Sequence, residues 1–264
     1  MTMKIGIRLL IFLFFVTFLS LPVFSQPKKG SFYEIKVYHI QNTEQEKTVD
    51  DFLRNAYLPA LNREGIKTVG VFKPIGNDTI ADKRIYVLVP FKSLKQFSEL
   101  PAKLSGDKQF AESGRDYLEA GYKEAPYLRM ESILLSAFPE MPKLQVPALN
   151  NEAAKRVYEL RSYQSPTEQW FRNKVHMFNE GGEVALFKRL GFNVAFYGSV
   201  IAGSEMPNLM YMATFEDMTS REQHWKAFGS DPEWKKLSAM PLYPQQNVSK
   251  IDVVFLRPTD YSQI

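Results

Sequence analysis

Polar and apolar positions alternate in two matching hexapeptides. Tyr158-Glu159-Leu160-Arg161-Ser162-Tyr163 and Tyr33-Glu34-Ile35-Lys36-Val37-Tyr38 share one plan: Tyr, acid, aliphatic, base, small or aliphatic residue, Tyr. A period of two predicts β-strands, each opening one of two similar modules. In the first module the pattern predicts strands over Phe32–Ile40, Thr68–Pro74, Arg84–Phe91 and Tyr127–Phe138. Between the first two strands, Val49, Phe52, Leu53, Ala56, Tyr57, Ala60 and Leu61 recur at helical spacing, with Thr48 as a cap candidate and Pro59 expected to bend or divide the helix. Further helices are expected from Ser93 through Lys103 and over Lys108–Tyr122.

Pro139, Pro142 and Pro147 then mark a helix-hostile linker over 139–156. The second module repeats the order. Its strands are predicted over Val157–Tyr163, Asn193–Ile201, Asn208–Phe215 and Ser249–Leu256. Helices are expected within Thr167–Leu190, over Thr219–Phe228 and over Glu233–Met240, and the polar tail from Arg257 is expected along the surface. Each half thus reads β-α-β-β-α-β, the order of a ferredoxin-like sheet with helices on one face. Such a sheet leaves its other face bare, and two can cover each other. The fold class expected is α+β: modules 32–138 and 157–264 paired as an intramolecular pseudo-dimeric α/β barrel.

Residues 1–25 stand apart. Lys4 and Arg8 precede an apolar run, Leu9 to Leu21, and Val23-Phe24-Ser25 offers small residues for cleavage. This reads as a secretory signal peptide, so the expected location is periplasmic or extracellular, with no membrane anchor after cleavage. The formal net charge is +4; without Lys4 and Arg8, and with all 29 acids retained, it is +2. That balance, without a Lys/Arg cluster, argues against nucleic-acid binding. The chain has no cysteine. Thiol catalysis, disulfides and Cys-ligated metals are excluded.

Strand alternation puts Glu159, Arg161 and Tyr163 on one face, and Glu34, Lys36 and Tyr38 on the corresponding face of the first module. Arg129, Glu131 and Asp252 add charge on the outer strands, and Tyr211 lies on a central one. If these faces point into the barrel, they form a polar pocket for a small molecule. The alternative is a ladder of cross-strand ion pairs or faces open to water. Glu180-Gly181-Gly182-Glu183 is a candidate hinge with two carboxylates beside a pocket. Trp225 and Trp234 read as packing residues. The three histidines, His39, His176 and His224, have no metal-type spacing, so no metal site is expected.

The second module resembles the NIPSNAP family. The likeness is carried by Tyr158–Tyr163, Leu190-Gly191-Phe192, Asp231-Pro232-Glu233-Trp234 and Ile251-Asp252-Val253-Val254-Phe255-Leu256-Arg257-Pro258, and it spans about residues 157–260. The first module is a weaker copy. The resemblance implies a dimeric α/β-barrel, ferredoxin-like fold and little chemistry. Many members carry a His and a Trp on the third strand, where this chain has Tyr211 and Ala213, so an activity resting on that His is not carried over. The expected role is binding of a small molecule or a protein partner, with a homodimer as a further association. The alternative is a cofactor-independent oxygenase or isomerase, for which Glu159 or Tyr211 should titrate beside a closed cavity. A second alternative, drawn from distant barrel relatives, is haem binding through His176; otherwise no cofactor is expected.

Overall fold

The computed structural model describes residues 30–264; the expected signal peptide, 1–25, lies outside the described residues. Eight strands form one closed antiparallel barrel. They are β1 (Phe32–Ile40), β2 (Gly70–Pro74), β3 (Lys83–Phe91), β4 (Arg129–Ala137), β5 (Val157–Gln164), β6 (Asn193–Ala202), β7 (Asn208–Phe215) and β8 (Lys250–Pro258). The order around the barrel is β1-β3-β2-β8-β5-β7-β6-β4. Each module contributes a ferredoxin-like sheet, and the sheets join at two seams, β2 on β8 and β4 on β6. Following the antiparallel pairs around the ring leaves β1 and β5 pointing the same way, so the pseudo-twofold runs along the barrel axis.

The helices are α1 (Thr43–Phe52), α2 (Leu58–Arg63), α3 (Leu94–Ser105), α4 (Lys108–Ser113), α5 (Arg115–Leu118), α6 (Glu168–Phe178), α7 (Glu183–Arg189), α8 (Met218–Ser230) and α9 (Pro232–Ser238). α1 starts earlier than Thr48: Asn42 is its cap, accepting from the Gln45 N–H. Pro59 does not divide the helix: Phe52, Leu53, Tyr57 and Leu58 all keep right-handed helical angles, so α1, a wider turn and α2 run on as one. Pro59 has no N–H for the Asn55 carbonyl, and the turn before it, Leu53–Tyr57, widens to a π-helix in which the Leu58 N–H reaches the Leu53 carbonyl.

The barrel interior is apolar. Tyr33, Ile35, Val37, Phe72 and Leu88 of the first module meet Tyr158, Leu160, Phe196, Met210, Met212 and Leu256 of the second. This corrects the expected placing of Glu34, Lys36, Tyr38, Glu159, Arg161, Tyr163 and Tyr211, which point outward beneath the helices. Tyr38 packs with Val49 and Phe52, and Tyr163 and Tyr211 pack with Phe178 and Phe187. The physical reason is partner supply. Two sheets closed on each other bring mostly hydrocarbon, which leaves a charge unpaired at high cost; the helices bring arginines, lysines and an indole N–H.

One end of the barrel is plugged twice over. Leu144 and Leu149, from the segment between β4 and β5, and Ile264 of the tail pack against the interior. The two plugs use the same device. After β4, the Phe138 and Gln145 N–H groups donate to the carbonyls of Tyr197 and Ala195; after β8, those of Thr259 and Gln263 donate to Val71 and Val69. The tail therefore extends the β2 seam rather than lying loosely on the surface. Its polar side chains serve this purpose: Ser262 Oγ and Gln263 Oε1 accept from the N–H groups of Val71 and Val69.

Candidate functional site

Glu159 anchors the outer face of the second sheet and is fully buried. Asp217 caps α8 by accepting from the Ser220 N–H, which sets the helix so that Arg221 and Trp225, one turn apart, both face β5. Arg221 Nε donates to Glu159 Oε2 at 2.9 Å, its Nη2 to Oε1 at 3.2 Å, and Trp225 Nε1 to Oε2 at 2.8 Å. Arg161 Nη1 also donates to Oε1. Burial pushes this carboxyl up, but the bonds from Arg221 and Trp225 and the Arg161 guanidinium outweigh it and hold it below its usual range. Arg161 Nε donates to Tyr163 Oη at 3.2 Å, and Tyr163 Oη shares a 2.9 Å bond with Tyr211 Oη. Burial, then the neighbouring Tyr163, raise Tyr211 well above the ordinary phenol value, so it stays protonated.

Above this layer a chamber of about 220 Å³ opens between the sheet and α6, α8 and α9, lined by Tyr163, Lys174, Glu183, Trp225, Trp234 and Tyr243 among others. Lys174 sits on the Phe171–Phe178 stripe of α6, which carries it under the helix. It is 5% exposed, its Nζ donates to Glu183 Oε2 at 2.9 Å, and it lies 4.8 Å from the Phe178 ring centroid. Glu180-Gly181-Gly182-Glu183 forms the tight turn that delivers this partner. A Cβ on Gly181 would meet the Met177 carbonyl oxygen at 2.5 Å, and Gly182 has φ +89°, so both positions demand glycine. Glu180 is exposed and Glu183 buried; the two carboxylates part. Asp231 caps α9 through its Oδ1, accepting from the Glu233 and Trp234 N–H groups, which turns Trp234 over the chamber. The outer wall is the segment after α9. Asn173 Nδ2 donates to the Leu242 carbonyl at 2.7 Å, and His176 Nδ1 shares a 2.7 Å bond with Tyr243 Oη.

Of the sequence candidates, the structure brings Tyr163 and Glu183 to the chamber; Glu159, Arg161 and Tyr211 lie in the layer behind it. Lys174, Arg221 and Tyr243 were missed. Lys174 carried a signal, a lysine standing in an apolar helical stripe between Phe171 and Phe178. Trp225 packs as expected, but its N–H also serves Glu159. Glu34, Lys36 and Tyr38 occupy the matching place in the first module. There Ser132 Oγ donates to Glu34 at 2.6 Å and Lys36 Nζ lies 3.1 Å from it. The space above is filled: Phe52 stacks on Tyr117 with ring centroids 3.7 Å apart and packs on Tyr57 and Phe110.

A wider cleft, about 460 Å³, sits at the open end of the barrel, with Arg84, Glu131, Glu205, Lys250 and Asp252 on its walls. Its charges are solvated, whereas the smaller chamber combines aromatic walls with a buried ion pair, which makes it the candidate site. His39 bridges Asp82 and Glu131 at 2.8 and 2.6 Å, and His224 Nδ1 donates to the Ser220 carbonyl. Among the described residues no group of three or more His, Asp or Glu side chains could hold a metal ion, and no helix is long and apolar enough to cross a membrane. His176 is an exposed residue of α6. With that orientation and a chamber of 220 Å³, the residues present do not fit haem.

The architecture is that of a ferredoxin-like α/β-barrel protein whose two halves lie on one chain. Residues 158–263, which span the second module, match the NIPSNAP family model. No curated protein matches the chain in sequence. Among solved structures, a candidate monooxygenase of Fusobacterium nucleatum superposes with a TM-score of 0.55 at 8% identity, covering 88% of this chain and 93% of its own. A candidate monooxygenase of Lactobacillus acidophilus gives 0.53 at 12% identity, covering 87% and 94%. An anthrone oxidase-like protein gives 0.50 at 8% identity, covering 88% and 93%. At these identities the likeness is one of fold.

Proposed function

We propose that this chain is an exported small-molecule-binding protein whose ligand enters the chamber of the second module. The observation that carries the reading is the Lys174–Glu183 pair, buried yet lining an aromatic cavity, where the first module has a solid core. Burying two charges is costly and adds little net stability; a ligand that uses them gives the arrangement a purpose. Export rests on the Lys4–Ser25 pattern. The first module is a divergent copy of the same unit, retained to close the barrel, which occupies the inner sheet faces; a homodimer would use another surface.

The test is native mass spectrometry of the purified protein with an absorption spectrum, followed by phenol titration read by fluorescence of the chamber tryptophans, excited beyond the phenol absorption band. Saturable quenching, lost in Ser238→Phe, which fills the chamber, is the expected result. An empty protein with no saturable response would overturn the reading. An oxygenase is the second reading, favoured by Tyr163, which lines the chamber and whose hydroxyl is bonded to Arg161 and Tyr211, and by the oxygenase names of the fold neighbours. It requires uptake of O2 in the presence of an aromatic substrate; binding without uptake leaves the first reading alone.

A further inference from the structure

Resting on that reading, the geometry points to the class of ligand: we propose that the chamber selects an uncharged planar aromatic molecule carrying a hydroxyl, of about two fused rings. Size comes first. A volume of 220 Å³ falls below the roughly 300–1,000 Å³ typical of drug-sized ligands. Shape comes from the walls. Phe228 lies with its ring centroid 4.4 Å from that of Trp234 and 5.6 Å from that of Trp225, and Tyr163 and Tyr243 line the same chamber. Aromatic faces and edges meeting from several sides suit a flat ring system, by offset or edge contacts.

The polar group follows from the ion pair. Lys174 and Glu183 have side chains 6% and 3% exposed, and they neutralise each other. An ammonium has three donors; one goes to Glu183 and another points at Met177 Sδ, 3.4 Å away. A third donor is left for the ligand. The Glu183 carboxylate has acceptor sites beyond the one Lys174 uses. Side by side, the pair offers one donor and one acceptor, which a hydroxyl answers by accepting from Lys174 and donating to Glu183. A carboxylate ligand would face Glu183 and an ammonium would face Lys174, and like charges repel strongly in a site shielded from water. The pair therefore discriminates against both signs of charge.

Equilibrium dialysis of the full chain against 1-naphthol, naphthalene, 1-naphthoate and 1-naphthylmethylammonium tests this. The expected result is 1-naphthol bound about 10-fold tighter than naphthalene, as for a hydrogen bond to charged groups, and both ions bound more weakly than naphthalene. In Lys174→Met/Glu183→Leu, which removes both charges together, naphthalene binding should persist while the naphthol advantage disappears. In Glu183→Gln, near-isosteric and leaving the lysine uncompensated, 1-naphthoate should gain affinity and overtake naphthalene. Should the double variant fail to fold, this arm decides. Equal affinity for naphthol and naphthalene in the native protein, an advantage surviving the double substitution, or no gain for naphthoate would overturn the proposal. Failure of every arene to bind would overturn the chamber reading itself, whereas arenes bound without regard to the hydroxyl would overturn only this inference.

Discussion

The two modules carry one backbone plan and two different fillings. Strand register aligns them: Arg161 on β5 faces Tyr211 on β7, which faces Tyr197 on β6. In the first module Lys36 faces Val87, which faces Val71. Hydroxyl-bearing rings in one sheet correspond to valines in the other. The helices answer in kind. Over the tyrosines stand Lys174, Arg221 and Trp225, with a chamber above them; over the valines, Phe52, Tyr57, Phe110 and Tyr117 close the gap with their own rings. A fold of this kind thus sets aside one site in each half, and side-chain choice decides whether that site is kept open or packed as core.

The sharpest attempt to erase the difference is to open the closed half. Phe52→Ala removes the centre of the aromatic stack and should cost about 4 kcal/mol in urea unfolding, leaving an apolar cavity able to take up benzene. A loss under about 1 kcal/mol would show that the stack is not core. A smaller contrast lies beneath the helices. Glu159→Gln removes the charge that Arg161 and Arg221 share and turns an amide NH2 toward donors that one carboxylate oxygen now satisfies, and should cost about 3 kcal/mol. Glu34→Gln, with only Ser132 and Lys36 around it, should cost about 1 kcal/mol; equal losses would erase the distinction. Because the Glu159 carboxyl is held below its usual range, its contribution is present above about pH 4.3 and is lost as pH falls through the folded value, a slope that Glu159→Gln should flatten.

The smallest effect concerns the strand ends. His39 meets Glu131 where Gln164 meets Asp252 in the other half. Burial lowers the His39 pKa, but the bonds from Asp82 and Glu131 outweigh it and raise the value. Its stabilisation is therefore complete below about pH 6.5 and fades as pH rises through the higher folded value. The amount is about 0.5 kcal/mol, as for a part-exposed pair. His39→Gln should remove this slope and make the first module as indifferent to pH there as the second. A slope unchanged by the substitution would place the titrating group elsewhere.

Much of the architecture was legible from periodicity, because alternation and the 3.6-residue repeat are properties of the chain itself. β1 and β7 run over the residues the pattern marks, and Ser93 caps α3 by accepting from the Gln96 N–H. What alternation does not carry is sign. Tyr158-Glu159-Leu160-Arg161 has two faces, and both are buried, one against the opposite sheet and one under helices. Only the partners brought by distant segments decide which face can hold a charge. Arg221 and Trp225 lie more than sixty positions from Glu159, too far for strand spacing to reveal. The tail misled for a related reason: Ser262 and Gln263 look like surface residues, yet their side chains satisfy the backbone of β2.

The two seams carry a consequence for dilution. A barrel assembled from two separate chains comes apart as concentration falls. Here the β2–β8 seam is extended by Thr259 and Val71, 188 positions apart, and its halves are tethered through a segment that is itself packed into the barrel. A short tether holds two surfaces at an effective concentration in the millimolar range, whatever the surroundings. For a protein destined for a dilute compartment outside the cell, as proposed, the closed barrel would then be independent of how many copies are present. Its assembly becomes a matter of loop closure, whose entropic cost grows only slowly with the length of the loop.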